Sequence, residues 1–240
     1  MIKTIHRRFL STIILFALYY LGFGGLLLYG YLKTDGGNVV VTFIFVFFLV
    51  SLFVTSYASN KLTHLINLSY LYRIYDNQGE PLNVTRVHDV NKLHQYLKSK
   101  DYKQYSGDSS HHLFYRVAKD NIKKIFSLNM LEVVVYIKDK DSDFYLDVVN
   151  DEINAIKDLL LKDKKKVNRL FITQIKNIDI LDEATKDAIS EIVFIRTRYN
   201  IISTINIGVL NQELAVINYS DTFTPSLYYA YHIEQIKDLV

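Results

Sequence analysis

Two uncharged stretches near the amino terminus decide the architecture: FLSTIILFALYYLGFGGLLLYGYL at 9–32 and GGNVVVTFIFVFFLVSLFVTSYASN at 36–60. A helix needs about 20 mostly apolar residues to cross a bilayer core that is about 30 Å thick. Every backbone amide within hydrocarbon must be hydrogen-bonded inside its own segment, so the valine-rich second stretch is also expected to be helical. We therefore predict two transmembrane helices, at about 9–32 and 38–59.

The connection between these helices is short, which predicts an antiparallel hairpin with an outer loop at 33–37. The first stretch is too long for the apolar region of a signal peptide, and no A-x-A cleavage site follows it. Basic residues flank the hairpin on its outer sides and favour a cytoplasmic location for both termini; they are Lys3, Arg7, Arg8, Lys61 and Arg73. Between the helices, Asp35 offsets Lys33. The expected location is the cell membrane, with two passes.

Three glycines, Gly22, Gly24 and Gly25, narrow one side of the first helix. Small residues let two membrane helices approach closely. The pattern fits either close packing within the hairpin or a self-association face, and we favour packing within the hairpin.

The rest of the chain, 61–240, is expected to be one cytosolic α+β domain of ordinary size. Of the 28 Lys+Arg and 25 Asp+Glu residues, four and one lie in 1–60, so 24 of each remain and this part is formally neutral. Nucleic-acid binding normally requires excess Lys and Arg, and none is expected here. The chain has no cysteine, which excludes disulfides and thiolate metal sites. Its many Ile, Lys, Asn and Tyr residues suggest a low-GC bacterium.

From residue 90 the predicted order is helix, three strands, helix, strand, with strands at 111–120, 131–139 and 144–149. This order resembles the core of restriction-endonuclease-like domains. The resemblance implies a divalent metal held by an Asp and by a Glu/Asp-x-Lys motif on neighbouring strands. Here Glu132 and Asp147 are each followed by Val-Val, so the lysine is missing. The expectation is a core of this kind without its catalytic motif.

The acidic stretch DKDSD at 139–143 offers Asp139, Asp141 and Asp143 as candidate metal ligands. A calcium loop would need Gly at its sixth position and Glu at its twelfth, where this chain has Phe144 and Asn150. The stretch also departs from the D-x-D-x-T/V signature of haloacid-dehalogenase-type phosphotransferases. We interpret it as a solvated hairpin turn. A metal site stays open if Asp147, placed on the following strand, faces inward beside Glu132.

These observations favour a non-catalytic binding, sensing or scaffold module that is anchored in the bilayer and needs no cofactor. The expected partner is another membrane or cytosolic protein. The run LLLKDKKK at 159–166 reads as a solvated helix end that would add modest attraction to anionic lipid. The alternative is a membrane-tethered, metal- or phosphate-dependent enzyme, such as a hydrolase or nuclease-like protein, with a site built from dispersed Asp, Glu and His residues.

Overall fold

The computed structural model describes residues 2–33, 37–107, 109–122, 128–191, 193–197 and 200–240. The chain divides into two compact units, residues 1–72 and residues 73–240. The first unit holds two long apolar helices, and the second is a mixed α/β sheet domain. The predicted broad class, apolar helices followed by one α/β domain, is therefore confirmed.

Helix α1 (Ile2–Lys33) has 32 residues and helix α2 (Gly37–Asp76) has 40. Both are long and apolar enough to cross a membrane. The spans predicted at 9–32 and 38–59 lie inside them, whereas residues 34–36 of the predicted outer loop lie outside the described residues. Helix α2 continues well beyond residue 59, because the next Gly or Pro after Gly37 is Gly79.

The two helices contact each other through aromatic and hydroxyl side chains. Tyr19 and Ser51 are hydrogen-bonded at 3.3 Å between Oη and Oγ. The rings of Phe23 and Phe47 stack with centroids 5.1 Å apart. One interhelical hydrogen bond in a membrane contributes about 1 kcal/mol, so ring packing carries much of this contact.

The three glycines of α1 do not form this contact. A Cβ atom built on Gly22, Gly24 or Gly25 meets nothing within 4 Å in the described part of the chain. The hypothesis that these glycines bring the two helices of the hairpin together is therefore wrong, because rings and not small residues fill the interhelical space.

The second unit contains eight strands and four helices among its described residues. The strands are β1 (Leu82–Asn83), β2 (Lys103–Gly107), β3 (His111–Lys119), β4 (Asn129–Ile137), β5 (Val167–Ile178), β6 (Val193–Arg196), β7 (Ile201–Leu210) and β8 (Leu214–Ile217). The helices are α3 (Val90–Ser99), α4 (Asp147–Lys162), α5 (Glu183–Ser190) and α6 (Leu227–Leu239).

All strands join one sheet with the order β1-β8-β7-β5-β4-β3-β2, and β6 also pairs with β7. Strands β4, β5 and β7 are parallel to one another, and the remaining pairs are antiparallel. Strand β7 has its outer edge covered in two halves, by β6 along Ile201–Thr204 and by β8 along Ile207–Leu210. Its turn into β8 uses Asn211 and Gln212 with φ of 51° and 62°, as a tight hairpin turn requires.

Helices cover both faces of the sheet. Helices α4 and α5 pack on one face through aliphatic side chains that include Ile153, Ile156 and Ile189. Helices α3 and α6 lie on the other face, where Tyr231 of α6 reaches Glu132 and His94 of α3 lies against Phe114. The central strands are thus buried on both sides.

The stretch FYLDVV at 144–149 is not the predicted strand. It leads into α4, which begins at Asp147 and buries Val149, Ile153 and Ile156 with helical spacing. Because β4 and β5 are parallel, their connection must cross over one face of the sheet, and a helix makes that crossing. The stretch 139–143 is consequently the β4–α4 connection rather than a hairpin turn.

Candidate functional site

Glu132 lies in the middle of β4, the strand that pairs with β3 on one side and β5 on the other. In the sheet register it stands between Arg116 and Phe171. Its side chain points toward the layer of α3 and α6 and is only 3% exposed. A carboxylate this deeply buried must be paired and hydrogen-bonded, because an isolated buried charge is strongly destabilising.

Three side chains donate hydrogen bonds to the Glu132 carboxylate. Arg116 donates from Nε to Oε2 at 2.9 Å and from Nη2 to the same atom at 2.5 Å. The hydroxyl of Tyr102 donates to Oε2 at 2.7 Å, and that of Tyr231 donates to Oε1 at 2.5 Å. Both carboxylate oxygens are therefore engaged by groups from β3, α6 and the segment between α3 and β2.

Arg116 extends this cluster to both helices of the layer. Its Nη1 donates to the carbonyl oxygen of Lys100 at the end of α3, at 3.0 Å. Its Nη2 also lies 3.2 Å from Oε1 of Gln235 on α6. The guanidinium stands over the ring of Tyr102, 4.7 Å from the centroid. Arg116 thus fixes the position of both helices against the sheet.

Both tyrosines stay protonated and act as permanent donors. Burial, followed by the negative charge of Glu132, raises the pKa of Tyr102 well above its usual range. Burial and the hydrogen bond to Glu132 raise the pKa of Tyr231 in the same way. The cavity beside Arg116 holds only about 100 Å³, well below the usual 300 to 1,000 Å³ of a ligand pocket. We therefore interpret this cluster as a hydrogen-bond network that holds α3 and α6 against the sheet.

The other acidic candidates lie apart from Glu132. Asp147 is exposed in the first turn of α4, where a carboxylate interacts favourably with the helix dipole. Asp139 accepts hydrogen bonds from the backbone of Asp141 at 3.1 Å and from Ser142 at 2.6 Å, and these bonds lower its pKa. Asp141 and Asp143 are exposed. Within the described residues, no group of three or more His, Asp or Glu side chains is placed to hold a metal ion.

A buried histidine on α6 was not singled out by sequence reasoning. His232 receives or donates hydrogen bonds at both ring nitrogens, to Thr173 of β5 at 3.0 Å and to Ser203 of β7 at 2.8 Å. Burial lowers the pKa of His232 to about 3, so the ring is neutral at physiological pH. A lone histidine in an apolar helix gives no sequence signal for such a role.

A larger cavity of about 470 Å³ lies where the chain leaves α2. Its wall combines the segment after α2 with α5 and β8, and its lining residues include Tyr75, Gln78, Glu183, Lys186, Asp187 and Ser190. Val216 and Ile217 form an apolar part of the wall. The volume lies within the 300 to 1,000 Å³ of small-ligand pockets.

The segment that forms this cavity wall is held firmly to the domain. Ile74, in the last turn of α2, is fully buried, and Arg73 lies over the ring of Phe223 at 4.9 Å. The amide of Gly79 donates to the carbonyl of Tyr219 at 2.7 Å. A Cβ atom on Gly79 would lie 2.5 Å from the Tyr219 ring, so only glycine fits there without a shift.

Fold and cavity define a class: two long apolar helices followed by a mixed α/β domain, which carries a pocket lined by residues of that domain alone. Comparison of the chain with protein-family models, curated proteins and solved structures finds no match.

Proposed function

We propose that this chain is a multi-pass protein of a bacterial cell membrane, with both termini in the cytoplasm. Its α/β domain acts as a non-catalytic binding or sensing module for another membrane or cytosolic protein. Nucleic acid is not part of the proposal, since 61–240 carries equal numbers of acidic and basic residues.

The continuity of α2 with the 470 Å³ cavity carries this proposal. One helix runs from Gly37 to Asp76, and Tyr75 in its last turn lines the cavity. A partner segment that fills the cavity would contact the end of the same helix that is apolar enough to cross a membrane. Binding there would bias the position of α2, because a ligand shifts an equilibrium by its differential affinity for two states.

We further propose that the core resembles restriction-endonuclease-like domains in the order of its elements. Support comes from the sequence α3, β2, β3, β4, α4, β5, in which β4 and β5 are parallel. Such a resemblance concerns the fold and assigns no activity. Arg116 donates two hydrogen bonds to Oε2 of Glu132, so this carboxylate is already engaged by a cation of the chain itself.

The membrane topology is tested with a reporter that is active only in the cytoplasm, fused after Val240. A second fusion between Lys33 and Gly37 serves as the matched control. We expect activity from the first fusion and silence from the second. Stable expression with the reverse pattern would overturn the proposed orientation.

The binding role is tested by placing a photo-crosslinking amino acid in the cavity of the full-length protein in native membranes. Glu183 lines the cavity, and Asp158 is another exposed acidic residue, on α4. We expect a crosslinked product of defined mass from position 183 and none from position 158. Equal products from both positions, or none from 183, would contradict a binding role for the cavity.

A further inference from the structure

The parallel strands give the domain two distinct ends. Strands β4, β5 and β7 begin at the same end, as the pairs Asn129↔Val167 and Arg169↔Ile201 show. We call this end, with the residues that flank the starts of these strands, the amino-end face. The opposite end, where β4 and β5 finish, is the carboxyl-end face.

The amino-end face is basic. Its exposed charged residues around the starts of β4, β5 and β7 and beside the α4–β5 turn include two acids, Asp101 and Asp163, and seven bases: Lys103, Lys119, Lys162, Lys164, Lys165, Lys166 and Arg196. Lys119 pairs with Asn129 at the start of β4, and Arg196 pairs with Ile201 at the start of β7. The four lysines of 162–166 come from the turn that leads from α4 into β5.

The carboxyl-end face has the opposite charge. The connection after β4 and the segment after β5 expose six acids and two lysines: Asp139, Asp141, Asp143, Asp179, Asp182, Glu183, Lys138 and Lys140. The equal totals of acidic and basic residues in 61–240 therefore conceal a separation of charge along the strand direction. A potential that changes sign across a domain orients it near a charged surface.

The lysine-rich turn has a fixed shape that leaves an aliphatic side chain in solvent. The amide of Lys165 donates to the carbonyl of Leu160 at 2.8 Å, and that of Lys164 donates to Leu161 at 3.0 Å. With φ of 60° at Lys164, these bonds form a Schellman motif at the end of α4. Leu161 remains 61% exposed beside the lysines.

A second exposed leucine lies at the same end of the sheet. Leu227 is 66% exposed at the start of α6. Its neighbour Tyr228 donates a 2.5 Å hydrogen bond to Asp120, which directly follows β3 beside the start of β4. The amino-end face thus combines basic side chains with exposed leucines, which is the chemistry of an interfacial membrane contact.

We infer that the amino-end face docks on the surface of a bilayer rich in anionic lipid, with Lys162, Lys165 and Lys166 near the headgroups and Leu161 in the interface. This inference rests on the proposed membrane hairpin, which tethers the domain beside the lipid. Lysines near an anionic surface gain attraction that falls off within a Debye length.

A cavity of about 540 Å³ adjoins the lysine turn and gives a headgroup room to enter. Lys103 and Lys165 line it together with Tyr115. Asp101, Asp163 and Arg116 line it as well, and Arg116 is paired with Glu132, so the remaining charges of the lining balance. The surplus positive charge of the face comes from the turn, where 162–166 holds four lysines and one aspartate.

The absence of cysteine from the chain makes a direct test simple. The full-length variant Leu161→Cys, labelled with a polarity-sensitive fluorophore, is placed in nanodiscs of phosphatidylcholine alone or of phosphatidylcholine with phosphatidylglycerol. We expect emission at shorter wavelength in the anionic discs, and we expect 1 M salt to remove this shift. Ile180→Cys, 73% exposed after β5 on the carboxyl-end face, is the matched control and is expected to show no shift.

Charge variants separate lipid attraction from a general polarity effect. K162Q/K165Q/K166Q in the Leu161→Cys background is expected to lose the shift. K138Q/K140Q/K186Q removes the same charge elsewhere and is expected to keep it. Equal emission from Leu161→Cys in both kinds of nanodisc would overturn the docking inference. Failure of the chain to co-elute with nanodiscs at all would overturn the membrane hairpin, and the docking inference with it.

Discussion

The two faces of strand β4 are both buried, but one face is covered by apolar packing and the other by a network of hydrogen bonds. Leu131, Val133 and Val135 point toward α4 and belong to an apolar cluster that is mostly aliphatic. On the other face the same strand carries Glu132, which is 3% exposed and sits inside a network of hydroxyl and guanidinium donors. Both faces are buried.

The difference lies in how each face fixes its helix. Aliphatic packing is non-directional and tolerates substitutions of similar volume. A buried carboxylate accepts only donors at defined distances, so Tyr231 and Gln235 set the position of α6 along the sheet. We expect the α6 face to be sensitive to single polar changes and the α4 face to be tolerant of single aliphatic ones.

The largest effect is expected from Glu132→Gln, which keeps the shape and removes the charge. Arg116 then loses its buried partner, and breaking such a pair costs about 3 to 5 kcal/mol. The Arg116 side chain keeps 21% exposure, which favours the lower figure. The measurement is the free energy of unfolding of the full chain in detergent, by urea titration followed by circular dichroism.

The control for this change is Asp158→Asn, an exposed position on the α4 side. A surface substitution of this kind is expected to change stability by less than about 0.5 kcal/mol. If Glu132→Gln also falls within that limit, the polar network does not fix α6.

The second largest effect is expected in the pH dependence of the free energy of unfolding, which arises from His232 on the α6 face. Its folded pKa of about 3 lies below the unfolded value of 6.5, so the unfolded state binds more protons between these values. The stabilising contribution of the neutral, buried His232 ring to the free energy of unfolding is therefore fully present above pH 6.5 and is lost as the pH falls toward 3. Between pH 6.5 and 5 we expect a loss of about 2 kcal/mol, measured by urea unfolding at each pH.

Two observations separate His232 from other groups that titrate. His94→Gln, at an exposed position of α3, is expected to keep the pH slope, whereas His232→Gln is expected to flatten it. In the unmodified protein, the ring proton signals of His232 should stay unchanged between pH 5 and 8. A titration of this ring near pH 6.5 would contradict its burial as a neutral group.

A smaller effect is expected on the aliphatic face. Ile153 of α4 is 3% exposed within the cluster that packs on β4. Ile153→Val removes one methylene and is expected to cost about 1 kcal/mol. Thermal unfolding of this variant beside Glu132→Gln tests the comparison directly, and a cost equal to that of Glu132→Gln would remove the contrast between the faces.

The smallest effect is expected from divalent metals. Both oxygens of Glu132 accept hydrogen bonds from other side chains, and Asp139 accepts a hydrogen bond from the backbone of Asp141 within the β4–α4 connection. Millimolar Mg²⁺ or Ca²⁺, compared with EDTA, is expected to leave the Tm of the full chain unchanged. A metal-dependent rise in Tm that disappears in Glu132→Gln would instead favour the tethered-enzyme alternative.

Local sequence signals predicted most of the elements. The strands predicted at 111–120 and 131–139 correspond to β3 (His111–Lys119) and β4 (Asn129–Ile137), whose β-branched and aromatic residues favour strands. The predicted strand at 144–149, FYLDVV, was wrong, although its six residues have the composition of a strand. The helical spacing from Val149 to Leu160 and the parallel pairing of β4 with β5 overrode it.

The candidate site was predicted less well. Glu132 was named for its place on a strand, but its donors are distant in sequence, since Tyr231 lies 99 residues away. His232 and the cavity beside α2 gave no local pattern. Contacts of this kind depend on which strands and helices become neighbours, and no local periodicity encodes that.

The sequence by itself determined the two apolar helices, the absence of thiol chemistry and the charge balance of the domain, because these depend on composition and on the length of uncharged runs. Only the tertiary structure decided that α2 continues to the wall of a cavity and that Glu132 is neutralised by Arg116. The tertiary structure also placed basic and acidic residues at opposite ends of the sheet. The physical reason is that burial, pairing and the direction of a field arise from side chains brought together across the sheet, far apart along the chain.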